Sequence, residues 1–232
     1  MPDILSYISP TNLAMAIKAN LHAFFHSFRN SSQATVHDTF LGYRWHTPIA
    51  HPWFNGVLCS QPPTSEAGQA VKDERAYFES QAVTSFSWWL APSLHPATWS
   101  PYLLPHGFIY TDSTPGMAVD LAALGPVRPP LSIQRVEDQQ MLSVWAKTFI
   151  QGYGLPDTMT PAFLALIEGL GTDLPFRHYL GLLNDQPVAT ASLFIGAGVA
   201  GIYNVATLAE VRGRGIGSAI TLLPLLEARD LG

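Results

Sequence analysis

The sequence has few of the features that mark secreted, membrane-spanning or nucleic-acid-binding proteins. Its single cysteine, Cys59, excludes an intramolecular disulfide and is typical of a reducing compartment. No apolar run approaches the ~18 to 20 residues needed to span a bilayer, and Asp3 stands where a signal peptide is basic. Charged residues make up 12% of the chain and the net charge is −5, so a broad basic surface for nucleic-acid phosphates is excluded. We therefore expect a cytoplasmic protein that binds neither nucleic acid nor membrane.

Metal-ligating residues are also scarce. His46 and His51 bracket the sequence "TPIA", but no nearby cysteine or carboxylate pair completes a zinc set. We expect no metal site, and we expect both histidines to lie in turns or at the surface. Cys59 has no histidine partner in the sequence that would activate it, so it is predicted to be a buried small hydrophobic residue.

Hydrophobic residues make up 47% of the 232 residues, which is enough for a sizeable core in one large or two small domains. Glycine and three prolines in residues 123–130, "ALGPVRPP", predict a linker. We therefore predict an N-terminal domain at 1–128 and a C-terminal domain at 129–232.

The first half reads as a mixture of helices and strands. Ser9 and Pro10 predict the start of an amphipathic helix, and the last short helix is predicted to end at Gly107. Between these two helices we predict aromatic-rich strands at 39–59, a polar surface helix at 65–80, and a strand that buries Trp88 and Trp89. After the short helix we predict a strand at 116–121.

The second half has a clearer order. A strand at 131–138 leads into a helix, and a second helix follows with Thr160 as its N-cap. The turns "NDQP" and "GAGVAG" then separate three apolar runs, which predicts a three-stranded meander. A glycine-rich loop and a final helix complete the order. The fold class is therefore α+β, with a mixed, mainly antiparallel central sheet flanked by helices.

The glycine-rich loop lies in "NVATLAEVRGRGIGSAI", residues 204–220. A dinucleotide-binding GxGxxG fails because Ser218 or Ile220 occupies the third glycine position, and a Walker A loop fails because lysine is absent. The remaining pattern is RxxGxG, with Arg212, Gly215 and Gly217 between a strand and a helix. Its amides and the helix dipole suit a pyrophosphate. The alternative is a plain strand-to-helix turn with spare glycines.

This stretch resembles the acetyl-CoA-binding motif of the GCN5-related N-acetyltransferase (GNAT) superfamily, and the element order from residue 131 onward is similar to that family's. The resemblance implies acetyl-CoA as co-substrate. It also implies that a strand amide polarises the thioester carbonyl. The strand backbone of Val205, Ala206 and Thr207 would bind the pantetheine arm. The residues whose backbone amides would hold the pyrophosphate are Arg212, Gly213, Arg214, Gly215, Ile216, Gly217 and Ser218.

Two departures from the family pattern bear on activity. The first half resembles only the last part of a GNAT domain, in "YLLPHGFIYTDSTPGMAVDL", and lacks RxxGxG, so we interpret it as a degenerate copy that does not bind acetyl-CoA. The second half ends after the loop helix, without the family's fifth strand, fourth helix and last strands. We expect either a truncated chain or a homo-oligomer or partner chain that completes the sheet. Pro224 is expected to kink the last helix.

Catalytic candidates are few. The family's frequent strand glutamate is absent from "GIYNVAT", which leaves Tyr203 and Asn204 to position a water, although neither is a good base. Glu168 and Glu210 are interpreted as solvated surface acids. Ser218 is predicted to donate to a phosphate or to cap the helix.

The resemblance implies an acyltransferase that moves acetyl from acetyl-CoA to a primary amine of a small molecule or peptide. Two other hypotheses remain open, because a fold does not fix a function. One is a non-catalytic acyl-CoA-binding or regulatory protein. The other is an inactive fragment that pairs with another chain.

Overall fold

The computed structural model describes residues 9–91, 93–125 and 130–231. The fold class is α+β, as predicted, with two sheets of four strands each. The helices are α1 (Pro10–His26), α2 (Ala67–Ser80), α3 (Pro96–Leu103), α4 (Gln139–Gly152), α5 (Thr160–Glu168) and α6 (Ile216–Asp230). The strands are β1 (Thr35–Thr39), β2 (Gly42–His46), β3 (Gly56–Cys59), β4 (Ser87–Leu90), β5 (Ser132–Arg135), β6 (Phe176–Leu183), β7 (Gln186–Gly196) and β8 (Val199–Thr207).

Two compact units share the chain. The first unit is 32–116, and the second combines the described residues up to Ser31 with those from Met117 onward. The boundary predicted after residue 128 falls in 126–129, outside the described residues, and stays a prediction. The helix α1, predicted to lie in the N-terminal domain, belongs to the second unit.

The first unit contains a sheet in the order β1-β2-β3-β4, in which only the β3 and β4 pair is parallel. Its core includes Cys59 and Trp99, packed with small apolar residues of α2. Cys59 is buried as predicted, and burial raises the pKa of its thiol to about 11. Trp88 and Trp89 are half-buried rather than buried, because β4 forms an edge of its sheet.

The strand predicted at 116–121 is not present. Residues 108–120 have no regular secondary structure, and the side chain of Met117 is 87% exposed. Alternating apolar residues form a strand only where a neighbouring strand completes the ladder. In the described part of the chain, no strand pairs with this segment.

The second unit contains an antiparallel sheet in the order β5-β6-β7-β8, which includes the predicted meander. Side chains alternate between its two faces. Ala189, Ala191 and Leu193 of β7 pack against α6 in one hydrophobic core cluster. The other face of the same strand carries Ser192 and Phe194, which lie toward α4 and α1.

Aromatic stacking and a buried amide attach α1 to this sheet. The ring centroid of Phe24 lies 3.8 Å from that of Tyr203, with the rings nearly parallel. Asn20 donates through Nδ2 to the carbonyl oxygen of Gly196 at 2.8 Å and accepts from the Tyr203 hydroxyl at 2.7 Å. The helix therefore covers β8, although it is far from that strand in sequence.

Local signals in the sequence predicted most helix ends. Ser9 caps α1 and Pro10 is its first residue, as expected, and Gly107 ends the predicted short helix in the left-handed conformation. Thr160 is the first residue of α5 rather than its N-cap, because a 3-10 turn at Asp157–Met159 already leads into the helix. Pro224 lies inside α6, which continues to Asp230.

Candidate functional site

The glycine-rich loop connects β8 to α6. A 3-10 turn, Ala209–Val211, begins it, and Gly215 is the N-cap of α6. Gly213 and Gly215 have φ of 74° and 75°, a conformation that favours glycine. A Cβ atom built on either residue would have no atom within 4 Å. Both glycines therefore turn the backbone at an open face of the protein, where no other residue packs against them.

The first turn of α6 adds its own backbone groups to this face. The N–H groups of the first turn of a helix have no partner inside the helix, and they lie at the positive end of the helix dipole. In α6 these residues are Ile216, Gly217 and Ser218. Ser218 is exposed here, so its hydroxyl is at the surface of this turn.

The loop borders a cavity of about 550 Å³, hereafter the loop cavity. Strand end, loop and helix start all contribute to its wall, which places nine of the ten predicted cofactor-binding residues around one space. The tenth, Arg214, is exposed, and its guanidinium reaches the carbonyl oxygen of Glu210 at 3.5 Å. The residues that line the cavity are Gly152, Tyr153, Val205, Ala206, Thr207, Val211, Arg212, Gly213, Gly215, Ile216, Gly217 and Ser218.

Gly152 and Tyr153, at the end of α4, were not among the predicted site residues. A Cβ on Gly152 would lie 2.8 Å from Cβ of Ala206, so glycine allows α4 to approach the end of β8 closely. Burial raises the pKa of Tyr153, which keeps its hydroxyl protonated at neutral pH. Gly152 and Gly154, on either side of Tyr153, are the only indication in the sequence that this segment lies close to another part of the chain. They do not belong to the RxxGxG pattern.

The side chain of Arg212 ties three parts of the site together. Its Nε donates to the carbonyl oxygen of Thr207 at 2.9 Å, and its Nη2 donates to that of Gly152 at 2.6 Å. Its own amide donates to the carbonyl oxygen of Ala209 at 3.4 Å. The guanidinium thus joins the loop to the end of β8 and to the end of α4.

We expect Arg212→Ala to weaken CoA binding by about 10-fold, because two charge-assisted hydrogen bonds that order the loop are lost while the loop amides remain. Isothermal titration calorimetry measures the change. Arg214→Ala is the matched control, since it removes the same charge from a residue that does not line the cavity. Equal losses in the two variants would mean that charge, and not the ordering of the loop, is responsible.

A β-bulge interrupts β8 beside the cavity. Thr190 of β7 pairs with Ala206, and Ser192 pairs with Tyr203, so Asn204 and Val205 together lie opposite Ala191. Asn204 has φ of 53°, a left-handed conformation that asparagine tolerates better than most residues. The extra residue of a bulge is left out of the ladder. The strand therefore presents irregular backbone where Val205 enters the cavity wall.

Neither predicted catalytic side chain lines the loop cavity. Tyr203 stacks on Phe24 and donates to Asn20, and burial raises its pKa. Asn204 donates through Nδ2 to Ser192 Oγ at 3.0 Å. A direct catalytic role for either residue stays a prediction that the geometry of the cavity does not favour.

We expect Tyr203→Phe to lower the free energy of unfolding by about 1 to 2 kcal/mol, because Asn20 Oδ1 loses a partly buried hydrogen bond. The affinity for CoA should change by less than about twofold, which corresponds to less than about 0.5 kcal/mol. The reason is that the hydroxyl does not line the cavity. Urea titration and calorimetry measure the two quantities. A large loss of affinity with unchanged stability would instead support a role for Tyr203 in the site.

The other predicted polar residues lie outside the cavity wall. Glu168 accepts a hydrogen bond from Gln139 Nε2 at the surface. Glu210 is exposed in the 3-10 turn, as expected. Burial lowers the pKa of both His46 and His51. Among the described residues, no group of three or more His, Cys, Asp or Glu side chains is placed to hold a metal ion. No helix in the described ranges has the length and hydropathy to span a bilayer.

Comparison with known proteins gives the fold. No family model matches the sequence, and no curated protein matches it. A GCN5-related N-acetyltransferase from Kribbella flavida is similar in structure over 94% of this chain and 82% of its own, with a TM-score of 0.60 and 18% identity. A functionally unknown conserved protein from Staphylococcus epidermidis is similar over 87% of this chain and 80% of its own, with a TM-score of 0.53 and 14% identity.

A third solved structure, a predicted acetyltransferase from Clostridium acetobutylicum with acetyl-CoA, covers 44% of this chain and 75% of its own, at 17% identity and a TM-score of 0.36. The similarity to the Kribbella flavida structure shows that this chain has the same fold as that GCN5-related N-acetyltransferase. The fold expected from the glycine-loop resemblance is therefore confirmed.

Proposed function

We propose that this chain is an acyltransferase that moves an acetyl group from acetyl-CoA to a primary amine of a small-molecule or peptide acceptor. The observation that carries the proposal is the loop cavity. An irregular edge strand, a glycine-rich loop and the start of a 15-residue helix border the same space. The loop and the helix start suit one part of an extended ligand, and the strand suits another.

The loop suits the pyrophosphate of CoA. Gly213 and Gly215 leave the loop backbone uncovered, and the first turn of α6 supplies amide N–H groups at the positive end of its dipole. Anions are stabilised by such a concave group of amides. Arg212 adds positive charge beside the loop and fixes its position. The residues present therefore fit a diphosphate.

The end of β8 suits the pantetheine arm. In the described part of the second sheet, β8 is a terminal strand with β7 as its neighbour. An edge strand leaves a row of backbone N–H and C=O groups available to an extended partner. Val205, Ala206 and Thr207 belong to this strand and line the cavity. An amide-containing chain laid along them would direct its thioester toward the bulge.

The proposed reaction is direct transfer. The lone pair of a neutral amine attacks the thioester carbonyl carbon, the C–N bond forms, and the C–S bond breaks with release of the CoA thiolate. A proton lost by the amine nitrogen balances the proton that the thiolate takes up from solvent. A backbone N–H at the bulge would stabilise the negative charge that develops on the carbonyl oxygen. Tyr153, which stays protonated, borders the same cavity.

Release of free CoA thiol tests the proposal. The full chain is incubated with acetyl-CoA and a panel of primary amines, including polyamines, amino sugars and peptides with free N-termini. Turnover with at least one amine, absent in Gly215→Glu, is the expected result. Acetyl-CoA binding without turnover on any amine would contradict the catalytic part of the proposal.

A specific observation favours one alternative, a non-catalytic acyl-CoA-binding protein. No Asp, Glu or His is among the described residues that line the loop cavity, so the wall supplies no side chain that is a good base at neutral pH. A binding protein would have the same loop and strand contacts. The amine panel separates the two functions, because both predict binding and only one predicts thiol release.

A further inference from the structure

A row of hydrogen-bonded polar side chains, two of them buried and one half-buried, crosses the second sheet at the bulge. His178 of β6, Ser192 of β7 and Asn204 of β8 form it, hereafter the polar row. His178 Nδ1 lies 2.8 Å from Ser192 Oγ, which in turn accepts from Asn204 Nδ2 at 3.0 Å. His178 and Ser192 are both 0% exposed. Burial of uncharged polar groups costs free energy unless each is hydrogen-bonded, and here each one is.

The direction of every hydrogen bond in the polar row follows from its ends. The carbonyl oxygen of Gly171 lies 3.1 Å from His178 Nε2 and can only accept, so Nε2 carries the proton. Nδ1 of a neutral imidazole must then accept, and the Ser192 hydroxyl donates to it. That leaves a lone pair of Ser192 Oγ to accept from the Asn204 amide. Reversing any one bond would leave a buried group without its partner.

The surroundings of His178 keep it in this neutral form. Burial among aromatic rings lowers its pKa to about 4, and the ring centroid of Trp145 is 4.6 Å from that of His178. Between pH 6 and 9 the imidazole therefore does not gain a proton. The hydrogen-bond direction, and with it the side-chain position of Asn204, stays constant over that range.

The polar row acts on the bulge through Asn204. The side-chain amide of Asn204 donates to Ser192 Oγ, and the backbone carbonyl oxygen of Asn204 accepts from Thr190 Oγ1 at 2.9 Å. These two β7 residues flank Ala191, which is the residue opposite the bulge. Side chains thus replace the ladder contacts that the bulge removes, and they hold Asn204 at φ of 53°. The next residue, Val205, is in the wall of the loop cavity.

We propose that His178 and Ser192 are positioning residues for the acyl group. Through Asn204 they hold the β8 bulge in the conformation that directs a backbone N–H of the bulge at the thioester carbonyl of bound acetyl-CoA. This inference rests on the proposed function. It assigns to two buried side chains, His178 and Ser192, and to the half-buried Asn204 the task of orienting a backbone N–H group.

The thioester carbonyl distinguishes two probes. Acetyl-CoA carries this carbonyl and free CoA does not, whereas both carry the pyrophosphate. Ser192→Ala removes the centre of the polar row, and Asn204→Gly removes the amide while keeping a residue that tolerates positive φ. We expect each variant to weaken acetyl-CoA binding by about 3- to 10-fold, the range of one hydrogen bond. CoA binding should change less than twofold (about 0.4 kcal/mol).

Calorimetric titration of the full chain with each probe gives the ratio of the two affinities. Thr148→Val is the matched control, because it also removes a buried hydroxyl, one that bonds within α4 to the carbonyl oxygen of Val144. It should leave the ratio unchanged. Thermal melts without ligand report how much stability each variant has lost, and Asn204→Gly keeps the test available if Ser192→Ala does not fold.

The outcomes separate the inference from the proposed function. A changed ratio in both polar-row variants, with the control unchanged, supports the inference. An unchanged ratio of the two affinities, whether or not both fall, overturns the inference. The assignment of CoA binding to the loop is then unaffected. If the folded parent chain binds neither probe, the proposed function fails, and the inference fails with it.

Discussion

Replacing Gly215 by glutamate is expected to weaken CoA binding by at least about 100-fold, or about 2.7 kcal/mol. Gly215 has φ of 75°, caps α6 and lies in the cavity wall. A Cβ at this position meets nothing in the protein within 4 Å, so a side chain would occupy the open face where a diphosphate would bind. The carboxylate would add repulsion to this obstruction. Titration calorimetry with CoA measures the loss.

Gly107→Glu is the matched control. Gly107 has φ of 81°, is also exposed, and likewise has no atom within 4 Å of a built Cβ. The two variants share the added charge and the backbone strain, which costs about 1 to 2 kcal/mol for a left-handed residue. Only Gly215 lines the cavity. Unchanged CoA affinity in a folded Gly215→Glu chain would show that the loop does not hold the diphosphate.

Replacing Phe24 by alanine is expected to lower the free energy of unfolding by about 3 to 5 kcal/mol. Phe24 is 6% exposed and is the centre of the contact between α1 and the second sheet. The substitution would leave a cavity beside β8, because the surrounding rings cannot fully close it. Those rings belong to Phe25, Phe28, Phe176, Phe194 and Tyr203.

Urea titration followed by circular dichroism measures this change. Met15→Ala is the control, because Met15 is on the same helix and is 65% exposed. It should cost less than about 0.5 kcal/mol. If Phe24→Ala cost no more than Met15→Ala, the assignment of α1 to the second unit would be wrong.

The sequence predicted those parts of the fold that depend on local chemistry. The meander followed from its two turns, and Asn184 and Asp185 indeed have positive φ in the first of them. The glycine loop could be predicted because the residues of its RxxGxG motif are adjacent in the sequence. Nine of the ten cofactor residues line one cavity because a loop and the ends of the two elements it connects are necessarily close in space.

What the sequence could not predict depends on long-range packing. The stacking of Phe24 on Tyr203 joins residues far apart in the chain, and an amphipathic pattern shows which face of α1 is apolar but not what covers it. Gly152 and Tyr153 enter the cavity because α4 crosses the end of β8. The apolar alternation at 116–121 predicted a strand that has no neighbour to pair with.

The polar row was likewise invisible, because its members are spread over three strands. His178, Ser192 and Asn204 become neighbours only through strand register: His178 lies opposite Ser192, and the bulge brings Asn204 beside them. From the sequence alone, Asn204 is predicted to position a water. Its side chain instead bonds to Ser192, and its left-handed backbone marks the bulge.

Titration of the full chain with acetyl-CoA tests the central claim, that the loop cavity is an acyl-CoA site. We expect saturable binding at one site per chain, which competes with CoA and is lost in Gly215→Glu but kept in Gly107→Glu. A folded chain that takes up no acetyl-CoA, or one whose binding is unaffected by Gly215→Glu, would contradict the claim.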